Sequence, residues 1–313
     1  MASKELMANP NLNGDDIANP LAAQVGGMGA DSMVGARGWA RWLWQALVEL
    51  VFPARCAACK CFGVLSAADT LPSSIDHGDD QAIGRYDPHA HLRGLLCPAC
   101  LEQCQWLSSP LCTRCGIMFN SRVGGDHRCS DCLSANGYYG QARAVGVYQG
   151  ALMALVHQLK YRGRVALAAP MGRMLQEAFN FYWRARRVDL VMPIPLHPRR
   201  LRRRGFNQAA LLLRAWQRVA DRDPAGAACP VAVIDTLVRA RRTRSQTGLN
   251  RRERQRNMRG AFAVRNRNAI RNQRVLLLDD VFTTGATVEE AARTLLAAGA
   301  AVVDVFTFAR TPR

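Results

Sequence analysis

Apolar residues are spaced in three different ways along this chain, and each spacing predicts a different kind of structure. Over 39–52, within GWARWLWQALVELVF, tryptophans and leucines recur at helical intervals interrupted by Arg41 and Glu49, which predicts an amphipathic helix. That stretch is too short and too charged to span a bilayer. Its Trp-rich face is expected to pack on the neighbouring domain, with a membrane surface as the alternative. From Tyr138 onward strand and helix patterns alternate: a strand over Arg143–Tyr148, helices over Leu152–Tyr161 and Leu167–Trp183, and a strand over Asp189–Ile194. Near the end, Val275, Leu276, Leu277 and Leu278 make the continuous apolar run of a strand covered on both faces. A helix over Val288–Ala298, a stop at Gly299 and a last strand over Ala301–Phe308 follow. This order predicts an α/β fold built on a parallel sheet with right-handed crossovers. Two segments show no period. Residues 1–37, rich in Asn, Gly, Ala and Asp, are expected to form a disordered tail, and 63–93, with three histidines among Asp, Gly, Pro and Ser, reads as an inserted loop.

With 313 residues the chain has room for about two domains and a full core. The formal charge of +18 is carried almost wholly by arginine, since lysine stands only at Lys4, Lys60 and Lys160. An excess of guanidinium this large favours phosphate-bearing partners, because the planar fork clamps phosphate oxygens in pairs. Nucleic acid and pyrophosphate both fit. The first residues lack the apolar core and cleavage site of a secretory signal, so a cytoplasmic location without a membrane-spanning helix is expected.

In a reducing compartment the eleven cysteines argue for metal rather than disulfides. Ten lie between Arg55 and Cys132, eight of them in four C-x-x-C units: Cys56/Cys59, Cys97/Cys100, Cys112/Cys115 and Cys129/Cys132. Each unit presents two thiolates on a tight knuckle, and two knuckles supply the four soft ligands that Zn²⁺ prefers, so two tetrahedral sites are expected. The thirteen residues between Cys115 and Cys129 are a good zinc-ribbon spacing. In the first site the insertion separates the pairs, leaving Cys61, Cys104, His77, His89 and His91 as alternative ligands, and His127 competes in the second. A redox or iron–sulfur centre is the alternative chemistry. Sites of this kind are closed and replace a missing core. Cys229, alone in a loop, is expected to be an inert thiol.

Candidate chemistry concentrates in RVLLLDDVFTTGAT, residues 274–287. A buried strand ends in Asp279 and Asp280, where open α/β sheets place ligands, and Thr283, Thr284, Gly285, Ala286 and Thr287 then lead into a helix. Amides at a helix start carry partial positive charge, and a glycine lets them close around an anion. Two adjacent carboxylates suit a ribose diol. Thr287 with Glu290 also has the spacing of a capping box. After the Asp189–Ile194 strand, five of the six residues Arg199–Arg204 are arginine, and Pro193, Pro195 and Pro198 predict a stiff loop rather than a helix. Between Arg239 and Arg274 stand thirteen arginines against one acid, Glu253. This run, just ahead of the acid pair, is where a mobile lid over a diphosphate belongs, with Gln246, Arg251, Arg252, Arg256 and Asn257 as its lid or nucleic-acid contacts. Lys160, Arg202 and Arg204 are further candidates for the diphosphate. His157 and His197 are possible acid/base groups.

The 274–287 segment resembles the phosphoribosyl-pyrophosphate (PRPP) loop of type I phosphoribosyltransferases, which implies Asp279 and Asp280 on the ribose and Thr283–Thr287 on the 5′-phosphate. Residues 38–313 further resemble the ComF (competence protein F) family: paired zinc knuckles, LKYRG, PIPLHPRRLRRRGFNQ, QTGLNRRERQRNMRGAF and DDVFTTGAT occur in that order. The resemblance implies a Rossmann-like phosphoribosyltransferase domain over 137–313. Ahead of it, 38–136 would hold the amphipathic helix and a double zinc ribbon. It implies Mg²⁺ with PRPP, and handling of imported single-stranded DNA in natural transformation beside a competence helicase or other DNA-uptake machinery. Three activities stay open: nucleic-acid handling on this scaffold, phosphoribosyl transfer to a nucleobase-like acceptor, and PRPP sensing without turnover.

Overall fold

The computed structural model describes residues 55–62, 88–121, 123–134, 137–220, 230–243, 248 and 250–312. The tail, the 39–52 helix, His77, most of the inserted loop, Cys229 and Gln246 lie outside the described residues. The described residues belong to one compact unit.

Five strands form a parallel sheet in the order β1-β7-β6-β2-β3: β1 Ala142–Val147, β2 Leu190–Pro193, β3 Val231–Ala232, β6 Arg274–Phe282 and β7 Val302–Arg310. A separate antiparallel pair, β4 Leu237–Arg239 with β5 Phe262–Val264, has no counterpart in the sequence expectations. Each strand there is only three residues long, too short for a two-residue period to show. Helices α1 Pro98–Glu102 and α2 Ser130–Ser134 belong to the cysteine-rich part. The others are α3 Gly150–Arg162, α4 Ala168–Tyr182, α5 Pro198–Arg204, α6 Gln208–Ala220, α7 Arg251–Met258 and α8 Ala286–Ala297.

Strand β6 organises the core because its side chains alternate. Leu276 and Leu278 pack on one face with α3, α4 and α6, while Val275 and Leu277 pack on the other with α8, Met258 and Phe262. The first face also takes in Cys56, Ala57, Leu92, Leu96, Cys97 and Cys100, so the first cysteine knuckles share a core with the sheet. Helix α4 buries Met171, Met174, Leu175, Ala178 and Phe179, which recur at helical spacing.

Two local expectations are corrected. The basic stretch after β2 is a helix, α5, because Pro198 stands at its first turn, where a missing N–H costs nothing, and His197 Nδ1 caps the Arg199 amide at 3.2 Å. The strand expected to stop at the acid pair runs on to Phe282, paired with β7 through Asp279↔Thr307 and Phe282↔Arg310.

Helices α4 and α6 touch at Gly172, where an added Cβ would lie 2.6 Å from Ala215 Cβ and 2.8 Å from the Trp216 backbone nitrogen. Gly172→Ala would ordinarily favour a helix by about 1 kcal/mol. Here backbone cannot move aside, so the substitution is expected to destabilise the protein by about 1–3 kcal/mol, read as a lower urea midpoint with an unchanged slope.

Candidate phosphoribosyl site and metal centres

Successive side chains of a strand leave on opposite sides, so the adjacent acids on β6 are sent to different neighbours. Asp280, 6% exposed, meets Lys160 of α3, whose ammonium lies 2.8 Å from its carboxylate. Burial works against that ammonium, but the charges of Asp280 and then Asp279 outweigh it and hold the Lys160 pKa above its ordinary value. Asp279 faces a cavity lined by Thr283, Gly285, Thr287 and Val288. Burial first, and the negative charge of Asp280 second, push its pKa up to about 7. Its carboxylate accepts the Asp280 amide at 2.9 Å.

Between β6 and α8 the chain turns through Gly285, whose φ of 80° is left-handed and whose missing Cβ leaves room for the Phe282 ring beneath. Helix α8 then starts at Ala286, two residues ahead of the sequence expectation. The proposed Thr287–Glu290 capping box does not form, because Thr287 falls inside the first turn. Glu290 instead accepts the Gly260 amide at 2.7 Å and pairs with Arg293. Within the loop the Thr284 hydroxyl oxygen is buried with no hydrogen-bond partner in the protein. A buried hydroxyl in that state costs stability unless a ligand satisfies it. A loop with an orphaned donor, helix-start amides and a carboxylate alongside can hold a phosphorylated sugar.

The remaining sequence candidates divide. Arg204 reaches the neighbourhood of Lys160, with its guanidinium carbon 5.3 Å from the Tyr161 ring centre, and Tyr161 packs edge-on against His157. Arg202 is exposed on α5. The supposed lid loop is helical from Arg251, because Asn250 and Glu253 form a reciprocal capping box, and α7 packs on α8. Arg252 and Arg256 are exposed on it, while the Asn257 carbonyl accepts Arg241 at 2.8 Å. Arg239 on β4 was not singled out by sequence. It is 6% exposed, donates to Thr243 Oγ1 at 2.5 Å, keeps an unpartnered Nε, and its charge acts on Asp279. Burial lowers its pKa to about 10. Nothing in the sequence distinguishes it from its exposed neighbours, since it is buried by distant partners, opposite Phe262 and against Met258.

The eight expected cysteines gather into two tetrads, Cys56/Cys59/Cys97/Cys100 and Cys112/Cys115/Cys129/Cys132, with each set of sulfurs within 4.8 Å of one another. The second is fully buried. Cys112 is pushed down to about 3 by the Cys115 thiol and, against the effect of burial, by the amides of Cys129 and Cys115 at 3.3 and 3.4 Å. Four converging thiols, one favoured as thiolate, fit Zn²⁺. The alternative ligands are otherwise engaged: His89 accepts Trp106 Nε1 at 2.8 Å, His91 pairs with Glu177 at 2.5 Å, and Cys104 donates to the Cys100 carbonyl at 3.4 Å. His127 stacks on Phe119 with its Nδ1 against the Gly125 carbonyl. Cys61 stays 3.1 Å from Cys59, at the exposed edge of the first tetrad.

Residues 210–313, which carry β6, the threonine turn, α8 and β7, match the family model described as phosphoribosyl transferase domain. The parallel sheet and its loop thus define a protein with a phosphoribosyltransferase-type domain joined to cysteine knuckles. The DNA utilization protein YhgH of Salmonella typhimurium is 33% identical over 227 residues, 69% of this chain and 90% of that protein. Competence protein F of Haemophilus influenzae is 29% identical over 220 residues, with the same shares covered. The chain belongs to the competence protein F family. Among solved structures, the hypoxanthine-guanine phosphoribosyltransferase of Schistosoma mansoni in complex with IMP aligns with 48% of this chain and 64% of its own, at 12% identity and a TM-score of 0.28. Among the described residues no helix is long and apolar enough to cross a membrane.

Asp279 is protonated more readily in the folded protein than in the unfolded chain, so it costs the fold increasing stability as pH rises from the ordinary carboxylate range to about 7. Asp279→Asn is therefore expected to stabilise the protein above pH 7 by about 1–2 kcal/mol after solvent screening. Little effect is expected near pH 4; melting temperatures measured across that window check the slope. Cys132→Ser is expected to leave one of two metal equivalents, counted by metal analysis of the purified protein.

Proposed function

We propose that this protein binds PRPP with Mg²⁺ at the turn between β6 and α8 and binds single-stranded DNA along its arginine-rich segments, serving DNA uptake in natural transformation. The buried, unpartnered Thr284 hydroxyl in the turn before α8, together with the cavity that Asp279 shares with Thr283, Gly285 and Thr287, carries the first half of this reading. Thr283, Thr284, Gly285, Ala286 and Thr287 take the 5′-phosphate, and Asp279 and Asp280 accept the ribose hydroxyls. For Asp280 to do so, Lys160 turns from it toward the diphosphate, where Arg202 and Arg204 add charge. Mg²⁺, held largely by substrate oxygens and water, supplies further neutralisation of the diphosphate. Residues 137–313 form the ligand-binding domain, and 38–136 the Zn²⁺-ribbon part.

The names of the relatives, a DNA utilization protein and a competence protein, support the DNA half, as does the charge of +18. Arg252 and Arg256, exposed on α7, suit a phosphate backbone. The setting is cytoplasmic, beside the machinery that receives the imported strand.

Calorimetry of PRPP·Mg²⁺ against wild type and Asp279→Ala/Asp280→Ala tests the reading. The double variant is expected to lose at least about 100-fold in PRPP affinity, two charge-assisted hydrogen bonds being removed. Its binding of a single-stranded oligonucleotide is expected to persist and to weaken steeply with salt. A wild-type protein that ignores PRPP removes the ligand assignment, and one that ignores DNA at low salt removes the partner. Pyrophosphate release across a nucleobase panel separates transfer from sensing.

A further inference from the structure

Two buried arginines run from the second cysteine tetrad to the phosphate-binding turn. Arg310 ends β7 and is 6% exposed. One arm of its guanidinium donates to the Cys115 carbonyl, and the other lies 3.6 Å from the Cys115 sulfur. The flat of the same group covers the Phe282 ring, 4.8 Å from its centre. Phe282 is the ring on which Gly285 rests: a Cβ there would fall 2.9 Å from it. The second arginine, Arg114, sits between Cys112 and Cys115. It covers Tyr139 at 4.9 Å, and Tyr139 meets the other side of the cluster edge-on to Phe282. Arg114 also donates to Glu289 in the first turn of α8 at 3.2 Å, and the second oxygen of Glu289 accepts the Tyr138 amide at 2.8 Å. At Gly137, beneath this contact, an added Cβ would fall 1.4 Å from the Arg114 guanidinium, so a side chain there would push the guanidinium away from Glu289.

A guanidinium this deeply buried needs compensating charge. Arg310 finds its partners in a cysteine carbonyl and a sulfur, and a dication held by four thiolates carries a net charge of about −2. A metal-loaded tetrad would supply the counter-charge beside the flat group that covers Phe282. Loss of the ion would remove that charge and loosen the Cys115 knuckle whose carbonyl Arg310 grips.

We propose that Arg310 and Arg114 are positioning residues through which metal occupancy of the Cys112/Cys115/Cys129/Cys132 tetrad sets the geometry of the Gly285 turn, and so its affinity for phosphorylated ribose. This rests on the assignment of that turn to PRPP. The cysteine part is thereby a component of the ligand site and not only a neighbouring module.

The variants to compare are Arg310→Lys, which keeps a charge near Cys115 but removes the stacked plane, and Glu289→Gln, which weakens the second link with little change of shape. Metal content, calorimetric affinity for PRPP·Mg²⁺ and hydrogen exchange of the 282–289 amides are measured on the full-length protein. Both variants are expected to retain two metal equivalents, to bind PRPP about tenfold more weakly, as for one lost amide contact to a charged group, and to exchange the 282–289 amides faster. Cys132→Ser is expected to do the same with one equivalent lost. Wild-type affinity and exchange in both Arg310→Lys and Glu289→Gln would overturn the proposal, even with a lowered melting temperature, because that is what simple packing predicts. If the wild type itself ignores PRPP, the ligand assignment fails and exchange of the 282–289 amides still decides the coupling.

Discussion

Two carboxylates placed side by side on a buried strand cannot face the same way. The two-residue period of β6 sends Asp280 toward α3 and leaves Asp279 in the cavity beside the threonine turn. Each then needs its own compensation. Asp280 obtains an ammonium at 2.8 Å, and Asp279, whose carboxylate accepts the Asp280 backbone amide, is held toward its protonated form. This division makes the pair unequal. One acid is tied to Lys160, while the other faces the cavity beside the threonine turn.

Holding such a strand end in place requires support on both sides, and the cysteine knuckles lie where it is given. The Ala57 carbonyl in the first knuckle accepts both the Gln158 amide of α3 and the Lys60 ammonium, so the helix that carries Lys160 is fastened to the first tetrad. The second tetrad touches the opposite flank through Arg310 and Arg114. A short segment with few large apolar side chains could do this with a metal in each tetrad, since ligation can substitute for a core of its own.

What was legible in sequence had strong local causes. The apolar run Val275–Leu278 is a strand covered on both faces, and the four C-x-x-C knuckles gather, as their spacing suggested, into two groups of four cysteines. The errors have local causes as well. Prolines after β2 suggest a loop, yet Pro198 suits a first helical turn. Helix α7 was missed within an arginine-rich run because its charges hide any apolar period, while its capping box, Asn250 with Glu253, went unused as a signal.

By itself, then, the sequence determined the alternating α/β order, the glycine turn after the acid pair and the cysteine knuckles, because periodicity, turn chemistry and knuckle spacing act within a dozen residues. Tertiary structure alone decided which acid pairs with Lys160, which of thirteen arginines between 239 and 274 is buried near Asp279, and that Arg310 joins a thiol cluster to the ring beneath Gly285. These are encounters between residues far apart in the chain. Burial and charge compensation are properties of the packed interior, and no local pattern encodes which distant side chain will supply them.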